Sequence, residues 1–122
     1  MLNQDQRFGR QGEIIAAEFL KKKGYSIIEA NCRTPFGEID IIAKHCETIV
    51  FVEVKSRHSD RFGLPVEAVG RRKQEKITRS ALYYLKKHSL TDVSARFDVM
   101  GILFQGKTPA IELIENAFES AL

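Results

Sequence analysis

The sequence has few cysteines and no long apolar segment, and each of these absences excludes a class of protein. No apolar run approaches the roughly 18 residues that a membrane-spanning helix needs, and residues 1–7 lack the basic-then-apolar order of a signal peptide. Cys32 and Cys46 stand outside any CxxC or Cys/His cluster, which argues against a zinc site and a disulfide framework. We therefore expect a cytoplasmic protein that does not bind membranes and has two reduced thiols.

Length and composition predict a single globular domain. The chain has 122 residues, 43% of them hydrophobic and 29% charged. A chain of this length buries about two-thirds of the surface that it exposes when unfolded, which is enough for a core. Because no repeat, low-complexity tract or Pro/Ser-rich linker divides the sequence, we expect one domain over residues 1–122.

The net charge is small but unevenly distributed. The 19 Lys and Arg residues against 16 Asp and Glu residues give a total of +3. Residues 55–88 hold ten basic and three acidic side chains, a net charge of +7, and the rest of the chain has a net charge of −4. A basic segment suits a phosphate backbone, but a helix face rich in Lys and Arg is also common on ordinary solvated surfaces, so charge leaves both interpretations open.

Hydrophobic periodicity predicts an α/β fold with the element order αβββαββ. Gly24 ends the first helix, a hairpin turn falls at residues 44–47, and a loop covers residues 60–65. The predicted helices span residues 8–23 and 66–88, and the predicted strands span residues 25–30, 38–43, 48–56, 96–104 and 110–115. This order predicts a mixed central sheet flanked by two helices.

Charged residues lie inside the two strands that should be most buried. If the hairpin turns midway between these strands, positions whose numbers sum to 93 face each other. Asp40 then opposes Glu53, and their Cβ atoms are about 4.5–5.5 Å apart. Glu38 opposes Lys55 in the same register, and all four side chains share one face because strand residues two apart point the same way.

Two ionised carboxylates this close need either a proton or a cation between them. Mg²⁺ (or Mn²⁺), which binds a few carboxylates together with water, would satisfy Asp40 and Glu53. Lys55 could then orient or deprotonate the attacking water, or stabilise charge on a phosphate. The structural alternative is a cross-strand ion pair between Glu38 and Lys55, with the acids at a solvated edge. The apolar residues around Glu53 favour the functional interpretation.

Residues 37–40 (Gly-Glu-Ile-Asp) and 51–57 (Phe-Val-Glu-Val-Lys-Ser-Arg) resemble the PD-(D/E)xK nuclease signature, in the form found in the YraN-like family. That bacterial family is related to archaeal Holliday-junction resolvases. Ile39 stands where the superfamily has a proline. Short motifs in matching order extend the resemblance along nearly the whole chain: residues 9–13, 23–25, 31–33, 62–65, 67–69, 73, 76–77 and 96–99.

The resemblance implies a restriction-endonuclease-like core in which Asp40 and Glu53 bind the metal and Lys55 completes the catalytic site. It also implies a metal-binding glutamate on the first helix, and the matching position is Glu13. On a helical wheel Glu13 lies about 20° from Leu20, which is compatible with an inward position. The alternative for Glu13 is a solvated acid favoured by the helix dipole. The relatives further imply a homodimer, because resolving a junction needs two cuts.

These features together predict a Mg²⁺-dependent DNA endonuclease that is structure-selective on branched or flapped DNA. No element promises base readout, so the expected contacts are to the phosphate backbone. The residues expected to make them are Arg57, Arg61, Arg72, Lys73, Lys76 and Arg79. Two alternatives remain: a non-catalytic DNA-binding or adaptor module acting with a DNA-processing partner, and a metal-dependent enzyme that acts on a small phosphate ester.

The remaining polar candidates are assigned structural roles. Asp98 is expected to pair with Arg96 or to cap the entry of its strand, and it is left out of the site. His45, His58 and His88 have no ligand spacing and are expected to be exposed polar residues.

Overall fold

The computed structural model describes residues 3–58 and 69–119. Within these residues the elements follow the order αβββαββ, which confirms the predicted α/β fold. The helices are α1 (Gln4–Lys22) and α2 (Arg71–Lys87), and the strands are β1 (Ser26–Thr34), β2 (Gly37–His45), β3 (Thr48–Arg57), β4 (Ser94–Leu103) and β5 (Ala110–Phe118). Neither of these helices is both long enough and apolar enough to cross a bilayer.

The helix starts differ from the prediction because of their caps. Asn3 caps α1: its side chain accepts a hydrogen bond from the backbone N–H of Gln6, and the Gln6 side chain accepts one from Asn3 in return. Gly70, in an extended conformation, is the N-cap of α2. The helix predicted from residue 66 is therefore wrong at residues 69 and 70, whereas residues 66–68 and the loop predicted at residues 60–65 lie outside the described residues.

Two strands continue beyond their predicted ends, each past an asparagine with a positive φ. Asn31 has a φ of 54°, in the left-handed region that asparagine tolerates, and β1 continues past it to Thr34. Asn116 has a φ of 50°, and β5 continues past it to Phe118. A left-handed backbone is unusual within a strand, so both asparagines resemble turn residues that would end it. The register shifts lie elsewhere in β1, between Ile27 and Glu29, and between Phe97 and Val99 of β4 where it pairs with β5.

The five strands form one mixed sheet in the order β1-β2-β3-β4-β5. Neighbouring strands are antiparallel except β3 and β4, which are parallel from Thr48 opposite Ser94 to Arg57 opposite Leu103. A parallel pair needs a long crossover, and the segment that connects these strands carries α2. The central position of β3 explains its nearly continuous apolar sequence, because both of its faces are covered.

The two helices cover opposite faces of the sheet. Leu20 of α1 packs in one core cluster with Val50 and Val52 of β3. Phe51, which lies between these two valines, points the other way and packs edge-on against Tyr84 of α2, with ring centroids 6.0 Å apart. The charged residues of β3 therefore lie between two packed helices.

The first helix approaches β3 closely at Gly12. A Cβ atom at this position would overlap Oγ of Ser56 and lie 3.3 Å from its Cβ. At Gly9, one turn earlier on the same helix, a Cβ would have no heavy atom within 4 Å. The missing side chain at Gly12 lets the helix lie against the strand, and this brings the next residue, Glu13, close to the sheet.

Alanine substitutions at the two glycines should have opposite effects on stability. We expect Gly9→Ala to raise the free energy of unfolding by up to about 1 kcal/mol, because alanine favours a helix more than glycine does. Gly12→Ala gains the same propensity but must displace Ser56, and we expect a net loss of about 1 kcal/mol. Denaturant unfolding measures both values, and adding Ser56→Ala should relieve the loss. Equal stabilisation by both alanines would contradict the close approach.

Candidate functional site

Strands β2 and β3 pair in the predicted register and separate at Asp40. From the turn up to Ile41 opposite Val52, the numbers of the paired residues sum to 93. One position further, Oδ2 of Asp40 accepts a hydrogen bond from the backbone N–H of Val54 at 2.8 Å. The register is confirmed along this ladder, and Asp40 lies at the fork where the two strands part.

The separation of the strands overturns the prediction that four charged side chains share one face. Glu38 lies opposite Arg33 of β1, with Oε2 3.8 Å from Nε of Arg33, and does not oppose Lys55. Val52 and Val54 pack in the cluster beneath α1, so Glu53 between them points towards α2. The cause is the bond from Val54 to Asp40, in which a side chain replaces the backbone partner and ends the ladder.

Three carboxylates converge on the α1 side of the fork. Oxygen atoms of Glu13, Glu38 and Asp40 all lie within 4.8 Å of one another. The Asn31 side chain of β1 interacts with Glu13 and acts to lower the pKa of that carboxyl group. Glu13 and Glu38 line a cavity of about 330 Å³ whose wall also includes Arg10. We call Glu13, Glu38 and Asp40 the acidic cluster.

Glu53 is not one of the three clustered carboxylates, although the charge of Asp40 acts on it, and it is held by two lysines. Its side chain is only 6% exposed, and Oε1 is 3.7 Å from Nζ of Lys55 and 3.4 Å from Nζ of Lys73. Lys55 is on the same strand, whereas Lys73 reaches the carboxylate from α2. Lys73, expected from the sequence to contact DNA phosphates, therefore contacts a buried carboxylate.

The pKa values of Asp40, Glu53 and Glu13 are raised. Burial is the main cause at Asp40, where the Val54 N–H and the charges of nearby lysines act in the opposite direction. Burial, followed by the charge of Asp40, raises the pKa of Glu53 to about 7 against the two lysines. Burial and the charge of Asp40 also raise the pKa of Glu13. Several acids that are costly to ionise together are typical of a functional site.

The raised pKa of Glu53 predicts a pH-dependent stability. Between the unfolded value of 4.5 and the folded value of about 7, the folded protein holds a proton that the unfolded chain has lost. In EDTA the ionisation of Glu53 should therefore lower the free energy of unfolding as the pH rises through this range. Glu53→Gln removes that contribution, so we expect it to be about 1–3 kcal/mol more stable than wild type near pH 8 and little different near pH 4. The same difference at both pH values in denaturant unfolding would contradict this.

The predicted DNA-contacting residues lie in different environments. Arg72, Lys76 and Arg79 are exposed on α2. Arg57, at the end of β3, is half-buried. Arg61 lies outside the described residues. Among the described members of the predicted basic surface, the exposed ones form a stripe on one helix, which we call the basic stripe and define as Arg72, Lys76 and Arg79.

A second polar cluster has a structural role. Arg96 and Asp98 form the expected pair, with Nε 3.0 Å from Oδ1, and Asp98 is fully buried. Tyr25 joins them by accepting a hydrogen bond from Nη2 of Arg96 and donating one to Glu115. His45 is half-buried and stacks on Tyr25 with centroids 4.2 Å apart, so the expectation that it is exposed is wrong. Expected roles are thus correct for Asp98 and incorrect for His45.

Two residues of the site were missing from the predicted set. The sequence predicts Glu38 only as an ion-pair partner of Lys55, and Asn31 only as part of a short motif. The spacing Glu38-Ile-Asp40 was a signal for a second carboxylate, because strand residues two apart point the same way. The contact of Asn31 with Glu13 had no such signal, since it depends on how α1 lies against β1.

The fold and the site define a class of protein: a five-stranded mixed sheet between two helices, with three carboxylates converging on the α1 side and exposed basic residues along α2. Residues 12–102 match the sequence model described as "Uncharacterised protein family UPF0102". The chain belongs to the UPF0102 family, and this confirms the family-level part of the resemblance.

Similar proteins carry the same family name. A UPF0102 protein of Desulfosudis oleivorans is 52% identical over 122 residues, which cover 100% of this chain and 98% of the relative. A UPF0102 protein of Syntrophus aciditrophicus is 50% identical over 120 residues, 98% of this chain and 94% of the relative. The UPF0102 protein CA_C1763 of Clostridium acetobutylicum is 47% identical over 117 residues, 94% and 96% of the two chains.

Proposed function

We propose that the protein is a metal-dependent DNA endonuclease of the PD-(D/E)xK superfamily that acts on branched or flapped DNA. The observation that carries the proposal is the acidic cluster, whose three carboxylates lie within 4.8 Å of one another at a fork in an apolar sheet. Glu53 and Lys55 follow on the neighbouring strand, in the spacing of the nuclease signature. This placement is hard to explain as an ordinary solvated surface.

The donor set fits a hard divalent cation. The cluster offers carboxylate oxygens, which Mg²⁺ and Mn²⁺ prefer. The negative charges of Asp40 and Glu38 raise the pKa of Glu13, and that of Glu38 raises the pKa of Asp40, so a cation would relieve their repulsion. The proposed ligands are Asp40, Glu53 and Glu13, as expected from the sequence, with Glu38 added by its position. When bound, the cation supplies Lewis-acid stabilisation of the phosphate and lowers the pKa of a bound water.

Lys55 and Lys73, the two lysines beside Glu53, are suited to act on the phosphate. Lys55, held 3.7 Å from Glu53, is proposed to orient the water that attacks phosphorus in line with the leaving oxygen. Lys73, 3.4 Å from the same carboxylate, adds positive charge where the transition state becomes more negative. Asp40 accepts the Val54 N–H and is thereby fixed in orientation at the fork. The chain's own residues thus supply positioning and charge stabilisation.

The basic stripe is proposed to bind the phosphate backbone. Arg72, Lys76 and Arg79 occupy positions i, i+4 and i+7 of α2, so they lie along one face of the helix. Such contacts position DNA without reading its sequence. A homodimer, which two cuts in one junction would need, also belongs to the proposal.

One observation favours the adaptor alternative. Glu53 lies within 4 Å of two lysines, and a buried carboxylate neutralised in this way needs no cation. A protein that kept the fold without the reaction would bind DNA in a salt-sensitive manner, and removing the basic stripe would weaken that binding.

The test is a cleavage assay with single-stranded, duplex, flap and four-way DNA in Mg²⁺, in Mn²⁺ and in EDTA. The proposal predicts cleavage that needs the cation and is faster on flap or four-way DNA than on duplex. Salt-sensitive binding with no cleavage of any substrate would support the adaptor instead. Hydrolysis of a small phosphate ester without cleavage of DNA would support the third alternative.

A further inference from the structure

An exposed aromatic patch lies beyond the end of the basic stripe. Phe36, in the turn between β1 and β2, is 46% exposed, and Leu82 and Tyr83 of α2 are 50% and 36% exposed. Together with Arg79 and Lys86 they line a shallow cavity of about 320 Å³. We call these five residues the aromatic platform.

The aromatic platform is held in place by the polar groups beneath it. Oγ1 of Thr34 lies 2.8 Å from Oγ of Ser80 on α2, and it accepts a hydrogen bond from the N–H of Phe36 at 3.1 Å. These contacts dock the turn on the helix. The rings of Phe36 and Tyr83 meet edge to face, with centroids 6.4 Å apart and planes at 69°. The two rings therefore form a preorganised surface.

The charge around the rings is positive. Arg79, Leu82, Tyr83 and Lys86 occupy positions i, i+3, i+4 and i+7, so the two cations flank the exposed apolar groups on one helix face. A surface meant for an apolar protein partner tends to be depleted of lysine at its centre, whereas exposed rings flanked by cations suit an anionic ligand with flat apolar faces.

The aromatic platform also continues the path of the basic stripe. Arg72, Lys76, Arg79 and Tyr83 follow one another along α2 at intervals of four, three and four residues. Lys73, which contacts Glu53, lies ten residues before Tyr83, and at 1.5 Å per residue this is about 15 Å along the helix axis. An unpaired strand of a few nucleotides can span that length.

We propose that the aromatic platform binds an unpaired segment of a DNA strand, whose bases stack on Phe36 and Tyr83 while its phosphates contact Arg79 and Lys86. Duplex bases already stack on one another, so only a single strand or a flap offers free faces. The inference rests on the proposed function for its choice of DNA, and it specifies the substrate as DNA with an unpaired strand beside the cleavage site.

The test measures binding in EDTA, where no metal-dependent cleavage occurs. Fluorescence anisotropy compares a thymidine strand of about 12 nucleotides with an abasic strand of equal length and charge. Wild type should bind the thymidine strand at least about five-fold more tightly. Phe36→Leu combined with Tyr83→Leu keeps an apolar surface but removes the stacking faces, and it should abolish this preference without changing affinity for the abasic strand.

The controls separate this proposal from its rivals. Ile14→Ala, at another exposed apolar residue, should leave both affinities unchanged. Equal binding of the two strands by wild type, or an equal loss on both strands in the leucine variant, would overturn stacking. Dissociation of a wild-type dimer by the same variant, with unchanged DNA binding, would assign the platform to a second copy and also overturn it. Because cleavage is absent from the assay, failure of the nuclease proposal would appear separately, in the metal-containing assays.

Discussion

Asp40→Asn is expected to abolish cleavage of DNA while the protein stays folded and still binds DNA. The asparagine has nearly the same shape, and its side-chain oxygen can still accept the Val54 N–H that fixes the fork. It lacks the negative charge that would hold a cation. Stabilisation worth several kcal/mol would be lost, and since each 1.36 kcal/mol is tenfold in rate, cleavage should fall by about a thousand-fold or more.

Two further variants make this result specific. Glu47→Gln removes an exposed carboxylate from the hairpin turn and should leave cleavage unchanged. Asp40→Ala also removes the hydrogen bond to Val54, so it should lose stability as well as cleavage. Full activity of Asp40→Asn in Mg²⁺, with wild-type DNA binding, would contradict a role for Asp40 in the reaction.

Among the substitutions considered, Asp98→Ala is expected to cause the largest loss in the free energy of unfolding. Asp98 is fully buried, accepts hydrogen bonds from Arg96 and from the backbone N–H of Asn116, and lies 3.3 Å from the Tyr25 hydroxyl. Removing it leaves the Arg96 guanidinium, whose side chain is only 21% exposed, without its principal partner. Breaking a buried pair in this way costs about 3–5 kcal/mol, and urea unfolding measures the loss.

The accompanying variants test the cause of that loss. Asp92→Ala removes an exposed carboxylate near the start of the same strand and should change stability by less than about 0.5 kcal/mol. Replacing both members of the pair, Asp98→Ala with Arg96→Met, should be less harmful than Asp98→Ala alone, because no unpaired charge is then left. A loss below about 1 kcal/mol for Asp98→Ala would show that the pair contributes little.

The element order and the hairpin register were predictable because they depend on local patterns. The apolar run of β3 and the turn after β2 are enough to predict the register that the two strands keep from the turn up to Ile41 opposite Val52. The divergence at Asp40 was not predictable, because it follows from a side chain that replaces a backbone partner. The predicted pairing of Glu38 with Lys55 failed for this reason.

The composition of the acidic cluster depends on contacts between distant elements. Glu38 meets Glu13 because α1 lies close to β3 at Gly12, and a glycine in a helix does not by itself reveal which strand it contacts. Lys73 reaches Glu53 from α2, which is far from β3 in the sequence. The sequence of α2 around Lys73 looks like an ordinary basic helix face, so it gives no sign of this contact. Tertiary packing therefore decides which acids and bases meet, whereas periodicity decides only which elements carry them.

The cation site is tested most directly by measuring Mn²⁺ binding to the folded protein by electron paramagnetic resonance, without DNA. Saturable binding is predicted for wild type, with displacement by Mg²⁺. Asp40→Asn should weaken it at least about tenfold, whereas Glu47→Gln should leave it unchanged. No saturable binding to wild type, or equal binding by wild type and Asp40→Asn, would contradict a metal site at the acidic cluster.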